Sequence, residues 1–295
     1  MTKNPVCGGQ PISPEQAHGL RRVVFGNASV PTRSEWLTTG FAFRDPDVEF
    51  AYGLRVPSAA RPSTRALLMA VQAYVVRHLL FERYLSQSPP RSSNTDEPDT
   101  SVLRPSRITQ TDALHSTLST ILWRIADKGK AWVCLPQDTA YVHQSQEYFQ
   151  DGVTEKLHLF EFSDLETLQI FIKRYIYVFQ EDPGPGSLLF LYSAVLTRGI
   201  SKSMTKPLSQ TRLFPQSRPQ FGVLTRSDVG LLVHDDNSEN QIPGSRLKTP
   251  SVPVWVTYAS GHYGVLFNTN KDLLRDYHAE RRYVYNTLQE YPRVF

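Results

Sequence analysis

A chain of 295 residues with 40% hydrophobic and 11% aromatic content carries enough apolar surface for one large core or two modest ones, which excludes disorder as its general state. Its 32 Lys and Arg stand against 28 Asp and Glu, a net charge of +4 with no dense basic arm, so nucleic-acid binding is not expected. Only 2 cysteines, Cys7 and Cys134, argue against a disulfide framework and for a reducing compartment. Met1 to Gln16 holds no apolar run of the signal-peptide kind, and no later stretch is long and uncharged enough to span a bilayer. The expected location is the cytoplasm, with the nucleus open as well, and no membrane association is expected.

Residues 1–20 read as a flexible N-terminal tail, 21–290 as one domain and 291–295 as a short C-terminal tail. Short apolar pieces at Val23 to Gly26, Trp36 to Phe43 and Phe50 to Leu54, separated by Asn27, Pro31, Gly40 and Pro46, predict packed loops and short strands. Leu67, Leu68, Val71, Tyr74, Val75, Leu79 and Phe81 then recur at helical spacing, predicting a helix from Arg65 to Tyr84. Pro62 with Ser63 or Thr64 reads as its entrance, a hydroxyl being available to cap it. The Ser-, Pro-, Asp- and Asn-rich stretch 86–106 reads as a flexible surface insertion. Thr111 to Asp127 predicts a second helix stopping near Gly129, followed by strands at Ala131 to Leu135 and Lys156 to Phe162.

Ser163-Asp164-Leu165-Glu166 has the form of a capping box, with Ser163 as cap, for a helix running to about Phe179 that Pro183 to Gly186 breaks. A nearly apolar helix from Leu188 to Leu196 ends at Gly199 and belongs in the core. The last third is strand-rich. Val229 to Val233 comes first, and then Val252 to Tyr258 and Tyr263 to Phe267 form a hairpin with His262 at its apex or first paired position. A charged, partly helical segment is expected over Asp272 to Leu288.

The most informative stretch is Tyr52 to Arg65, which feeds the long apolar helix and contains no Cys, His, Asp, Glu or Gln. A loop entering a buried helix N-terminus is where thiol hydrolases keep their nucleophile, because the free N–H groups and the helix field favour a thiolate. Ser63 occupies that place, but an unactivated hydroxyl is far weaker than a thiol, and capping is its simpler role. His262 is the best lone base candidate, beside the simpler reading of a turn histidine bonded to backbone. Cys134 reads as a core residue and Cys7 as part of the tail, while Arg55, Arg61 and Arg65 are either an anion contact or solvated charges. The 8 histidines are dispersed without ligand spacing, and no phosphate loop occurs, so neither metal nor cofactor is expected.

The order of the pieces resembles the MINDY family of ubiquitin-specific cysteine proteases, in its branch with larger helical insertions. The matching stretches include Ser34-Glu35-Trp36 with Gly40 to Phe43, Tyr52-Gly53-Leu54, Ala70 to Ala73 with Leu79 to Phe81, and Ile121 to Arg124. They continue through Leu191-Tyr192-Ser193 with Arg198-Gly199, Leu247 to Pro250, Pro253 to Val256, His262 to Phe267 and Leu273 to Asp276. The resemblance implies an α+β fold related to papain-like cysteine proteases, a helical lobe packed on a mostly antiparallel sheet. Active members place a Gln and then Gly-Gly-Pro-Cys before the Val-Gln-Ala helix, the Cys attacking the isopeptide carbonyl while a His takes its proton. His262 matches that base, whereas aligning on Pro puts Pro62-Ser63 where Pro-Cys belongs and Ala60-Arg61 in place of the glycines, and aligning forward from Tyr52-Gly53 puts Val56 at the Gln position; either way both the thiol and the Gln are absent. The resemblance therefore implies a pseudo-deubiquitinase, with ubiquitin, or polyubiquitin linked through lysine 48 of ubiquitin, as its partner. Two alternatives stand beside it: a residual deubiquitinase using Ser63 with His262, or Cys134 in an unanticipated placement, on chains of that linkage, and a scaffold unrelated to ubiquitin. Oligomeric state is not readable.

Overall fold

The computed structural model describes residues 4–58, 60–83, 100–127, 129–204, 226–234, 243, 245–270 and 286–289. In chain order these form β1 (Gln10–Pro11), α1 (Pro14–Phe25), α2 (Ser34–Thr38), α3 (Pro62–Arg77) with a π-turn at His78–Glu82, a 3-10 turn at Thr100–Leu103, and α4 (Arg107–Ala126). They continue with β2 (Ala131–Pro136), β3 (Leu157–Phe162), α5 (Leu165–Arg174), α6 (Ile176–Gln180), α7 (Gly186–Arg198) and α8 (Ile200–Met204). The last are β4 (Gly230–His234), α9 (Ser245–Lys248), β5 (Val254–Ala259), β6 (His262–Phe267) and β7 (Asn286–Gln289). The fold class is α+β, as expected. By their contacts the residues fall into two compact units, Met1–Ala42 with Leu114–Pro207 and Phe43–Ala113 with Leu208–Phe295.

In the first unit, residues 10–20 of the stretch read as a flexible tail are instead structured. Ser13 caps α1 by accepting from the Gln16 N–H at 3.2 Å, and the Gln16 side chain accepts from the Ser13 N–H at 3.0 Å, a complete capping box. Ile12, Ala17 and Leu20 behind that cap are buried, so this segment is core. The sheet is antiparallel in the order β1-β3-β2, and α7 packs on β2. That helix is apolar and largely buried, and Gly199 ends it at φ 95°, a conformation that favours glycine. The cap of α5 is Asp164, whose side chain accepts from the Thr167 N–H at 2.8 Å, one residue after the expected Ser163. The single helix expected to Phe179 is interrupted at Tyr175, which leaves helical geometry at φ −109°, ψ 18°.

A buried ion pair locks the loops of this unit. Arg21 is fully buried and bonds Asp151, while its other donors reach the carbonyls of Ala28 and Val30 and the Thr32 hydroxyl. Asp151 also accepts from the N–H groups of Val153 and Thr154 at 3.0 and 2.7 Å, so neither charge is left uncompensated.

In the second unit the sheet order is β4-β5-β6-β7, with β4 and β5 parallel and the other pairs antiparallel. Helix α3 packs on β5 and β6. Of the expected flexible insertion 86–106, residues 86–99 lie outside the described residues, and Thr100–Leu103 forms the 3-10 turn. Helix α4 begins at Arg107, ahead of the expected Thr111. Of the expected charged segment Asp272 to Leu288, residues 272–285 lie outside the described residues, as does the tail 291–295, while Asn286–Gln289 is a strand paired with β6.

Candidate functional site

The entrance of α3 has no side-chain cap. Arg61 is the N-cap, extended at φ −82°, ψ 167°, and Pro62 takes the first helical position, where its missing N–H costs nothing. Ser63 is exposed and its hydroxyl makes no hydrogen bond among the described residues, so the expected capping role is not filled. Thr64 is fully buried with its hydroxyl unpartnered among the described residues, so it does not cap either. The loop before the helix is held by its own backbone, Ala60 N–H donating to Pro57 O at 2.9 Å, and by Arg65 Nη2 donating to Ser58 O at 3.1 Å. Arg65 is thus committed to loop structure, while Arg55 and Arg61 are exposed.

Further back, two glutamines fix the Ala51 to Leu54 strip. Gln72, fully buried in α3, accepts from the Leu54 N–H at 2.6 Å and donates to Tyr52 O at 3.0 Å. Gln110 donates to the carbonyls of Arg44 and Ala51 at 2.9 and 2.7 Å. A buried amide that bonds backbone in this way acts as a clamp, since its removal strands main-chain groups away from water. Sequence reasoning gave neither glutamine a role. The available signal was a glutamine on an apolar helix face beside Leu68, Val71 and Val75. The Tyr52 ring meets Phe267 edge-on at 5.8 Å and 86°, and burial, opposed by Arg44, pushes its phenol up to about 12.

His262 is the first residue of β6, paired with Ala259 across a turn in which Ser260 and Gly261 have φ 46° and 90°. Positive φ at both turn positions is the hairpin geometry that matches strand twist. The expected hairpin and the first-paired placement of His262 are both present. Alternation puts His262 on the face of β6 shared with Gly264 and Leu266, while Val265 and Phe267 point the other way, Phe267 toward Tyr52. His262 is exposed. Ser63 and His262 belong to one unit, on elements that pack together, but no hydrogen bond joins them.

Cys134 lies in the other unit, fully buried in β2. Its thiol donates to Leu189 O at 3.2 Å, and burial pushes it up to about 12, so it stays a neutral thiol at physiological pH. Cys7 is exposed. No group of three or more His, Cys, Asp and Glu among the described residues is arranged to hold a metal ion, and none of their helices is long and apolar enough to cross a membrane.

The sequence profile described as "Deubiquitinating enzyme MINDY-3/4, conserved domain" matches residues 21–212 and 210–291. This chain belongs to the MINDY-3/4 family. Among its relatives are proteins named "Probable ubiquitin carboxyl-terminal hydrolase MINDY-4". That of Bos taurus is 28% identical over 92% of this chain and 38% of its own length. Those of Xenopus tropicalis and Mus musculus are each 27% identical, over 93% and 92% of this chain and 39% of their own length. The chain therefore spans well under half of these MINDY-4 proteins. No solved structure gives a significant match.

Proposed function

We propose that this MINDY-3/4 domain is a pseudo-deubiquitinase that binds polyubiquitin, including chains linked through lysine 48 of ubiquitin, in the cytoplasm, without cleaving them. One observation carries the reading: the N-terminus of α3, where the resemblance puts the nucleophilic cysteine, holds the exposed Ser63, whose hydroxyl has no hydrogen-bond partner among the described residues. A serine at that place needs a base within hydrogen-bond reach to lose its proton, and Ser63 has no such bond among the described residues. Neither cysteine substitutes, Cys134 being sealed in the core and Cys7 lying far from α3 in sequence. Arg61 beside the entrance puts bulk and positive charge where the family keeps two glycines for the ubiquitin tail, and the missing Gln removes an oxyanion donor, a loss of about 10²–10³ in rate by itself.

The test pairs a ubiquitin probe bearing a C-terminal electrophile with cleavage and binding of a long chain linked through lysine 48, using an active relative as control. Saturable chain binding, no adduct and no cleavage are expected. An adduct, or cleavage abolished by Ser63→Ala or His262→Ala, would instead establish a residual hydrolase. Absence of both cleavage and binding would leave a scaffold unrelated to ubiquitin.

A further inference from the structure

At one end of the four-stranded sheet, three strands set His234, Ala259 and His262 side by side. His234 closes β4 and pairs in parallel register with Ala259, the last residue of β5. Ala259 pairs in turn with His262, the first residue of β6, across the turn at Ser260 and Gly261. The Ser260 N–H donates to His234 O at 3.3 Å, which ties that turn to the end of β4.

Residues in register on neighbouring strands share a face of the sheet. The packing agrees: a Cβ at Gly230 would lie 2.2 Å from the ring of Trp255, its register partner, so these two share one face. Two-residue alternation carries that face through Leu232 and Thr257 to His234 and Ala259, and through Leu266 and Gly264 to His262.

Spacing and exposure set what this row can hold. Strands lie about 4.7–4.9 Å apart, so the Cα atoms of His234 and His262, two strands apart, are separated by roughly 10 Å. Imidazoles reaching inward from both sides, each with a metal–nitrogen distance of about 2.0–2.1 Å, span that gap. All three residues are exposed, and between the histidines the row offers only the Ala259 methyl, which leaves room for an ion and its waters. Imidazole suits Zn²⁺, Ni²⁺ and Cu²⁺. Each ring has two nitrogens, so one can bind metal while the other keeps a hydrogen bond, as metal-bound histidines do.

We propose that His234 and His262 form a two-histidine site for a divalent transition ion, Zn²⁺ above all, with water completing its coordination. No third His, Cys, Asp or Glu among the described residues joins them, so the ion exchanges and is not held as in a closed structural site. It joins β4 to β6 and occupies a nitrogen of His262, the residue that matches the family's base. This inference is independent of ubiquitin binding.

The test is calorimetric titration of the full chain, free of any histidine tag, with zinc chloride. A Cys7→Ser background removes the exposed thiol as a competing ligand. One saturable site with a Kd of about 0.1 mM or tighter is expected. His234→Ala and His262→Ala should each weaken it about tenfold or more, because one imidazole alone is left to hold the ion. His143→Ala, exposed in the other unit, should change it less than about twofold. No saturable site tighter than about 1 mM, unchanged affinity in either of the two sheet variants, or an equal loss in His143→Ala would each overturn the proposal.

Discussion

At the residue scale, the site turns on what a single side chain can ionise. A thiol at the start of a 16-residue helix is favoured as thiolate by the unpaired N–H groups there, and the neighbouring Arg61 adds to that field. Cys134 has the opposite surroundings: it is sealed under α7, where burial holds its thiol at about 12. Ser63→Cys is therefore expected to alkylate with iodoacetamide at pH 7 at least about tenfold faster than Cys134, which should react only on unfolding. Mass-resolved alkylation rates check this, and equal rates at the two positions would show that the α3 entrance does not favour a thiolate. The place of Ser63 was legible because Pro followed by hydroxyl residues and an apolar 3.6-residue period marks a helix start. That neither hydroxyl caps was not legible, since capping depends on the backbone angles of the preceding loop.

At the element scale, close approach outweighs intrinsic propensity at the start of α7. An alanine at position 186 would gain about 1 kcal/mol over glycine in helix preference. Its Cβ, however, would sit 2.2 Å from Phe179 O and 2.8 Å from Phe179 C, backbone atoms at the end of α6 that cannot rotate away. Overpacking of this kind exceeds the propensity gain, so Gly186→Ala should lower Tm by roughly 5 °C. An unchanged or raised Tm in a thermal melt would mean that α6 and α7 separate at little cost. Pro183 to Gly186 was readable as a helix break, because proline and glycine punctuate locally. The contact that makes Gly186 necessary was not, because it joins two elements rather than two neighbours in sequence. The tail assignment failed over residues 10–20 for the same reason. Ser13 and Gln16 do form a capping box, but the short helix it begins is stable only because Ala17 and Leu20 find a core to enter.

At the scale of the whole molecule, acid stability should carry the signature of Glu82 at the π-turn after α3. A hydrogen bond from His78, then the charge of Arg77, hold its carboxyl at about 2 against an ordinary 4.5, with partial burial opposing them. Because the folded value is depressed, this contribution to stability is complete above about pH 4.5, declines as pH falls, and is gone below about pH 2. The side chain is 36% exposed, so solvent screening keeps the effect modest. Glu82→Gln should make the loss of stability between pH 4.5 and 2 shallower, as read from urea midpoints at several pH values. Identical slopes in the two proteins would remove Glu82 from the acid transition.

By itself the sequence determined the element types of the longest periodic segments, the hairpin carrying His262, the core position of Cys134, the absent thiol before α3 and the family resemblance. All of these are local patterns or ordered strings of them. Only the tertiary structure decided that the contacts fall into two compact units and that Gln72 and Gln110 clamp the Ala51 to Leu54 strip. Those features come from buried polar groups and backbone meeting partners far away in the chain. No local pattern states where such a partner will be.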